Sequence, residues 1–272
     1  MTPLILFLAA QAASAPAAPA AVPPQLKACA DEARANPELA IARATDWRVR
    51  GGGLDARFCL GLAYAAAERW PSAATVFEQA ALEAEALKDG RRSDFWVQSG
   101  NASLAAGDAA KARKAFDAAL AAGMLAPELM GEVHFDRARA AVALNDLVAA
   151  RADIDQGLKL VPADPFGWYL SAALARRENN LKRAQDDIAR AVAAAPGDAA
   201  ILVEAGNIAG LSGEVDAAQA LFQRAVRAEP NSPAAKAAQA ALSGEAAPAP
   251  AASAAAATPA PAKPAPRPAE GR

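Results

Sequence analysis

The feature that most constrains this chain is a 34-residue recurrence in its second half. Three consecutive copies fill four positions in one order, with a small residue, a large apolar residue, a small residue and a proline: Ala150, Ile154, Gly157 and Pro162, then Ala184, Ile188, Ala191 and Pro196, then Ala218, Phe222, Ala225 and Pro230. Two earlier copies, at steps of 38 and 39 residues, keep the first three positions: Ala112, Phe116 and Ala119, then Ala73, Phe77 and Ala80. Because offsets of 0, 4 and 7 lie on one face of an α-helix, the pattern predicts five equivalent helices.

Another helical face precedes these helices, and it combines large apolar residues with small ones: Leu60, Gly61 and Tyr64; Trp96, Ser99 and Gly100; Trp168, Ser171 and Ala172; Leu202, Ala205 and Gly206. Turn-forming pairs separate the two helices: Gly107-Asp108, Asn145-Asp146, Asn179-Asn180 and Gly213-Glu214. Apolar residues make up 54% of the chain but aromatic residues only 5%, so alanine, the strongest helix former, supplies much of the core. The sequence therefore predicts an all-α array of helix pairs with small residues where helices approach closely.

A 34-residue helix–turn–helix with this pattern resembles the tetratricopeptide repeat (TPR), in particular that of exported bacterial proteins. The resemblance implies a right-handed α-solenoid of five stacked units, at residues 54–87, 93–126, 131–164, 165–198 and 199–232. His134 stands where the third unit should carry a tryptophan. The alternative is a set of antiparallel helices without regular stacking.

The segments that flank the five units have their own character. Residues 25–53 are interpreted as a degenerate helix pair, and residues 233–243 as a short capping helix that covers the last unit. Residues 16–24 form an Ala/Pro linker. Residues 244–272 are an Ala/Pro-rich tail with little to bury, so we expect the tail to be disordered and semi-extended.

The first fifteen residues, MTPLILFLAAQAASA, combine a short apolar run with a small-x-small pattern that ends at Ala15. This predicts a secretory signal peptide cleaved after Ala15 and a periplasmic protein. No basic residue precedes the apolar run, so a cytoplasmic protein with an apolar leader is the alternative. No later run reaches the roughly 20 apolar residues of a membrane span. The net charge of -2 gives no indication of the excess of basic residues that nucleic-acid-binding proteins carry.

The two cysteines, Cys29 and Cys59, each fall in the first helix of a pair. First helices of neighbouring units lie side by side in a stacked array, so the two thiols come within the Cα separation that a disulfide requires. In an oxidising compartment this predicts a bridge between the degenerate pair and the first regular unit. The alternative is two buried free thiols.

The sequence offers no catalytic site, metal site or cofactor motif, and we expect a protein that is not an enzyme. His134 is the only histidine, and it occupies a packing position of the repeat, so a structural role is favoured over a catalytic one. The carboxylate pairs Asp153/Asp155 and Asp186/Asp187 point to different sides of a helix and are interpreted as solvated faces.

In proteins with the TPR pattern, the first helices line a concave groove that binds peptides through positions 2, 5, 9, 12 and 13 of each unit. Mapped onto this chain, the resemblance implies these groove residues: Phe58, Leu62, Asn101, Phe135, Arg139, Phe166, Tyr169, Arg176, Arg177 and Asn207. The aromatic members are expected to anchor apolar side chains, and the arginines to pair with carboxylates. A family clamp for C-terminal carboxylates is broken here, because Val97 and Asp136 replace its lysine and its second asparagine.

The resemblance thus implies an interaction scaffold with a protein or peptide partner, of the kind that assembles or organises the bacterial cell envelope. The alternative is a structural tether, in which the Ala/Pro tail links the solenoid to cell wall or membrane. The partner and the oligomeric state do not follow from the sequence.

Overall fold

The structure is a computed structural model that describes residues 23–244, so the predicted signal peptide, most of the linker and the tail after Gly244 lie outside the described residues. Within that range the chain forms thirteen α-helices and no strand, which confirms the all-α prediction. Their bounds are α1 Pro24–Ala35, α2 Pro37–Val49, α3 Gly53–Ala66, α4 Trp70–Ala86, α5 Arg92–Ala105, α6 Ala109–Ala121, α7 Pro127–Ala143, α8 Leu147–Leu160, α9 Pro165–Arg177, α10 Leu181–Ala194, α11 Ala199–Leu211, α12 Val215–Ala228 and α13 Pro233–Ser243.

The helices pack in the order of the chain, each against the one before it and the one after it. Contacts also join first helices of successive units, since α1 contacts α3, α5 contacts α7, and α11 contacts both α9 and α13. The described residues therefore form the stacked helical solenoid that the repeat predicts, and α13 lies on α11 and α12. None of the described helices is both long enough and apolar enough to cross a membrane.

In four units, the turn between the two helices contains one residue with a positive φ. Gly107, Asn145, Asn179 and Gly213 all have φ between 58° and 82°, the left-handed conformation that glycine and asparagine tolerate best. The next residue then caps the second helix in three of these units, where its side chain accepts a hydrogen bond from a backbone N–H: Asp108, Asp146 and Asn180.

The start of the third unit differs from the sequence-based boundary. Helix α7 begins at Pro127, four residues before position 131, because Ala126 is extended and Pro127 suits the first turn of a helix. Helices α9, α11 and α13 begin where the 34-residue spacing predicts. Each is preceded by a cap residue with a side-chain oxygen, and these cap residues are also 34 residues apart: Asp164, Asp198 and Ser232.

In three of the five units, the two helices pack closely because a glycine of the first helix faces a phenylalanine ring of the second. A Cβ atom on Gly61, Gly100 or Gly206 would collide with a ring of the following helix: Phe77, Phe116 and Phe222, respectively. Phe77 and Phe116 are almost fully buried. The small residue that recurs in the first helix and the large apolar residue that recurs in the second helix thus contact each other in these units.

Buried carboxylates connect the middle units, so the prediction that Asp153 and Asp187 are solvated is wrong. Both side chains are at least 90% buried. Asp153 accepts hydrogen bonds from Arg137 at 2.9 and 2.5 Å and lies 2.9 Å from His134 Nδ1, and Arg137 also donates to Asp117 on α6. Burial alone would raise the pKa of Asp153, but its hydrogen bonds to His134 and Arg137 outweigh that cost and hold the pKa below its ordinary value.

A disulfide joins Cys29 of α1 to Cys59 of α3, with their Cα atoms 5.9 Å apart. Leu26, Ala44 and Leu60 are buried in the same cluster, so the bridge lies inside an apolar contact between the degenerate pair and the first regular unit. The link closes a loop with a sequence separation of 30 residues.

The glycine–ring contact predicts opposite effects for two substitutions on one helix. Gly206→Ala should destabilise the protein by about 1–3 kcal/mol, because its Cβ collides with Phe222. Gly210→Ala, on an exposed position of α11 with only Ala218 nearby, should stabilise it by up to about 1 kcal/mol through helix propensity. Urea unfolding followed by circular dichroism measures both, and similar effects for the two variants would refute the contact.

The buried carboxylate predicts a pH-dependent stability difference. Asp153→Asn should lower the free energy of unfolding at pH 7 by about 3 kcal/mol, because it removes one partner of a buried ion pair. A carboxylate whose folded pKa lies below its unfolded value near 3.8 stabilises above that value and loses the stabilisation as pH falls through the folded pKa. The difference between the two proteins should therefore shrink below about pH 4.

The control for this experiment is Asp186→Asn, since Asp186 is exposed and pairs with Lys182 one turn away. It should change the unfolding free energy by less than about 0.5 kcal/mol at any pH. A pH-independent deficit in Asp153→Asn would show that the carboxylate charge does not carry the effect.

Candidate functional site

The most distinctive surface of the first helices lies on α9, where a solvent-exposed aromatic ring stacks on a partly buried one. The Phe166 and Tyr169 ring centroids are 6.0 Å apart and the planes differ by 22°. Phe166 is 40% exposed, although a large apolar side chain is ordinarily buried. We call Phe166, Tyr169 and the two ion pairs beside them, Arg139–Asp136 and Arg176–Glu204, the aromatic face.

The local sequence fixes the position of Phe166. Asp164 caps α9 and accepts a 2.8 Å hydrogen bond from the Phe166 backbone N–H, while Pro165 occupies the first turn. The Phe166 side chain therefore leaves the helix in its first turn. The Phe166 ring packs edge to face with the ring of Phe135, with ring centroids 6.5 Å apart and ring planes at 81°.

Phe135 itself does not line a groove, so its prediction as a partner-binding residue is wrong. Only 1% of the residue is exposed. Its ring fills the space next to Gly157 and Gly167. A Cβ atom added at either glycine would collide with that ring. Phe135 instead supports Phe166 from inside the solenoid.

The arginines of the aromatic face already hold carboxylates of this chain. Arg139 donates to Asp136 at 2.8 Å, and Arg176 donates to both oxygens of Glu204 at 2.6 and 3.2 Å. Glu204 is only 6% exposed. Arg139 and Arg176 thus already hold acids that the chain itself supplies, and their pairing with carboxylates of a partner stays a prediction.

One signal in the sequence could have revealed this ion pair. Helix α11 is almost entirely apolar, and Glu204 is its only charged residue. A single carboxylate on an apolar helix requires a cation nearby, and Arg176 lies 28 residues earlier on the neighbouring first helix. Arg177 points elsewhere and donates to Asn145 Oδ1 at 3.0 Å, next to a turn.

Burial shifts the pKa values of two groups of the aromatic face. Burial raises the pKa of Tyr169 above its ordinary value, with Glu204 adding to the rise and Arg176 opposing it, so the phenol stays neutral at physiological pH. Burial also raises the pKa of Asp136, and Arg139 opposes that rise. The aromatic face has two rings at its centre, with the Arg139–Asp136 pair of α7 on one side and the Arg176–Glu204 pair on the other.

The other predicted groove residues lie on the same helical layer but do not join the aromatic face. Phe58 is half-buried between Phe77 and Phe95, with ring centroids 5.8 and 5.5 Å away, so it belongs to the packing of α3 to α5. Leu62 is half-buried against the cluster of Phe77 and Ala102. Asn101 on α5 and Asn207 on α11 are half-buried.

Comparison with known proteins relates the chain to helical-repeat structures. No protein-family model matches the sequence, and no curated protein matches it. Among solved structures, PilW, described as a widely conserved type IV pilus biogenesis factor, is 16% identical with a TM-score of 0.63, and the match covers 79% of this chain and 98% of PilW.

Two further structures agree. YrrB, described as a TPR protein with an unusual peptide-binding site, is 16% identical with a TM-score of 0.50, over 72% of this chain and 96% of YrrB. A chain of the APC/C hetero-tetramer Cut9–Hcn1 is 15% identical with a TM-score of 0.61, and the match covers 80% of this chain but only 40% of that one. At these identities the likeness establishes the architecture. The described residues therefore have the fold of tetratricopeptide-repeat proteins.

Proposed function

We propose that this chain is an interaction scaffold that binds an extended segment of a partner protein across the aromatic face. The observation that carries the proposal is the 40% exposed ring of Phe166, which stacks on the partly buried ring of Tyr169. Aromatic side chains dominate binding energy at interfaces, where a rigid ring loses little entropy when it becomes buried. The fold is that of YrrB, which is described as having a peptide-binding site, and this supports the proposal.

The ion pairs give the scaffold a defined preference. Arg176 and Arg139 hold acids of the chain, so a partner that relies on its own carboxylates would have to displace Glu204 or Asp136. Displacing Glu204 would leave a buried carboxylate without its cation, which is costly. We therefore expect partner segments rich in proline, leucine or aromatic residues rather than acidic ones.

This proposal predicts that removal of the rings weakens binding. Peptides selected from a displayed library against the full chain should bind the double variant Phe166→Ala/Tyr169→Ala about 30-fold more weakly, the size expected for loss of a 2 kcal/mol hot spot. Fluorescence polarisation with labelled peptides measures the affinity, and circular dichroism checks that the variant folds. The single variant Phe166→Ala, which alters the more exposed ring, should show part of the loss.

The matched control is Val148→Ala, because Val148 is an apolar residue that is 83% exposed at the start of α8 and away from the aromatic face. This variant should bind the selected peptides as tightly as the native chain does. If the ring variants also bind normally, the binding surface lies elsewhere.

We also propose that the protein is exported and acts in the cell envelope. The bridge between Cys29 and Cys59 supports an oxidising compartment, and the architecture is shared with the pilus biogenesis factor PilW. Assembly or organisation of envelope proteins is the role that fits both observations.

Export predicts a specific covalent state. The protein recovered from a bacterial periplasmic fraction should begin at Pro16, and a non-reducing digest should contain a peptide that links Cys29 to Cys59. Mass spectrometry measures both. An intact amino terminus together with two alkylatable thiols would contradict the proposal.

A further inference from the structure

A cleft of about 570 Å³ lies on the second helices of the first two regular units, α4 and α6. This volume is in the range of clefts that hold ligands, roughly 300–1,000 Å³. The aromatic face belongs to α7, α9 and α11, so the two surfaces share no residue. The residues that line the cleft are Glu85, Lys88, Arg92, Ala118, Ala121 and Ala122.

Three of the lining residues come from a departure from the repeat. Helices α8, α10 and α12 end ten residues after their shared alanine, whereas α4 ends thirteen residues after Ala73. Glu85 therefore stands, still within the helix, at the position where the last three units carry their closing proline. Lys88 and Arg92 belong to the additional residues 88–92 between the first two units, which have no counterpart in the later ones.

The half-buried Arg92 side chain joins this additional segment to α6 through backbone oxygens. Its guanidinium donates to the carbonyl oxygen of Asp89 at 3.4 Å and to that of Ala122 at 3.3 Å. A guanidinium has five N–H donors, so three remain available. The neighbouring Arg91 pairs with Asp55 and Asp89, but no carboxylate in residues 23–244 forms an ion pair with Arg92.

Lys88 adds a second cation to the cleft, and Glu85 adds an acceptor. Lys88 is exposed and forms no ion pair within the part of the chain that the structure describes. Glu85 accepts a 2.7 Å hydrogen bond from the indole N–H of Trp96, which fixes the carboxylate but leaves it charged. The charged lining groups thus carry one net positive charge beside the methyl groups of Ala118 and Ala121.

The lining selects a ligand that combines a carboxylate, an N–H group and an apolar group. The carboxylate would accept hydrogen bonds from Lys88 and from the remaining donors of Arg92. An N–H group of the ligand would donate to Glu85, and the apolar group would cover the alanine methyl groups. A peptide supplies all three where a large apolar residue stands next to Asp or Glu.

The surroundings of the cleft favour a protein as the source of this ligand. Exposed apolar side chains grouped around a binding cleft are typical of protein interfaces. Lys114 on α6 is exposed, lies one turn before Ala118 on the same side of the helix, and adds positive charge. The large apolar residues that are more than half exposed on the same helices and turns are Leu82, Leu87 and Met124.

We infer that the cleft between α4 and α6 binds a segment of a partner protein in which an acidic residue is next to a large apolar one, with Lys88 and Arg92 holding the carboxylate. The inference goes beyond the proposed function, because the cleft and the aromatic face lie on different units. The two surfaces also differ in chemistry. The arginines of the aromatic face hold acids of the chain itself, whereas the cations of the cleft are paired with none among the described residues.

The test selects peptides from a displayed library against the full chain carrying Phe166→Ala/Tyr169→Ala, so that the aromatic face does not retain them. Selected peptides should contain Asp or Glu next to Leu, Ile or Phe. Fluorescence polarisation should show about tenfold weaker binding when Lys88→Gly is added, the size expected for one charge-assisted contact. Replacing the peptide acid by its amide should cause at least that loss, and Lys88→Gly should then have little further effect.

The variants separate loss of the site from loss of the fold. Lys88 has a φ of 54°, and Gly123 occupies the equivalent position after α6, so Lys88→Gly should leave the Tm unchanged or raise it. Ala121→Trp fills the cleft from an exposed position and should abolish peptide binding. The control is Lys159→Gln, which removes an exposed positive charge from α8 and should leave the peptide Kd unchanged.

Three results would overturn the inference. The first is selection of peptides without acidic residues, and the second is equal peptide affinity for the parent, Lys88→Gly and Ala121→Trp. The third is failure to select any peptide while the chain sediments with phosphatidylcholine vesicles containing one quarter phosphatidylglycerol and Lys88→Gly releases it, which would assign the cleft to anionic lipid. The proposed function is judged separately, by peptides that require Phe166 and Tyr169.

Discussion

The structure depends on the close approach of two helices within each unit. In three of the five units a glycine facing a phenylalanine ring makes that approach possible. A single helix pair of about 34 residues buries too little apolar surface to be stable alone. Tight pairing creates a unit with two apolar sides, and stacking then buries each side against the next unit. Where the ring contact is present, as between Gly100 and Phe116, one methyl group would separate the helices.

The third unit shows that this constraint can be met in another way. Here Ala138 and Ile154 occupy the usual positions, and both are buried. The large ring is Phe135, which fills the space beside Gly157 and Gly167 at the junction with the next unit. The ring thereby supports Phe166 on the neighbouring helix.

The repeat made the helices and their order predictable, because small and large residues recur at spacings that only helices satisfy. The site was less predictable, since the position of a residue within a repeat does not say whether its side chain faces solvent. Phe135 was expected in a groove but is buried, and Arg176 was expected to be available but holds Glu204. Both features arise from contacts with residues of other helices, which a periodic pattern within one unit does not reveal.

The covalent bridge at one end of the solenoid makes its two ends unequal. Cys29 and Cys59 tie the first helices to the body of the array, whereas α13 is held at the other end by buried alanines, Ala235 and Ala238. Small methyl groups contribute little dispersion energy, so we expect thermal fraying to start at α13 and to travel inward, one pair at a time. The array should then unfold in one direction, from the carboxyl end toward the disulfide-linked amino end.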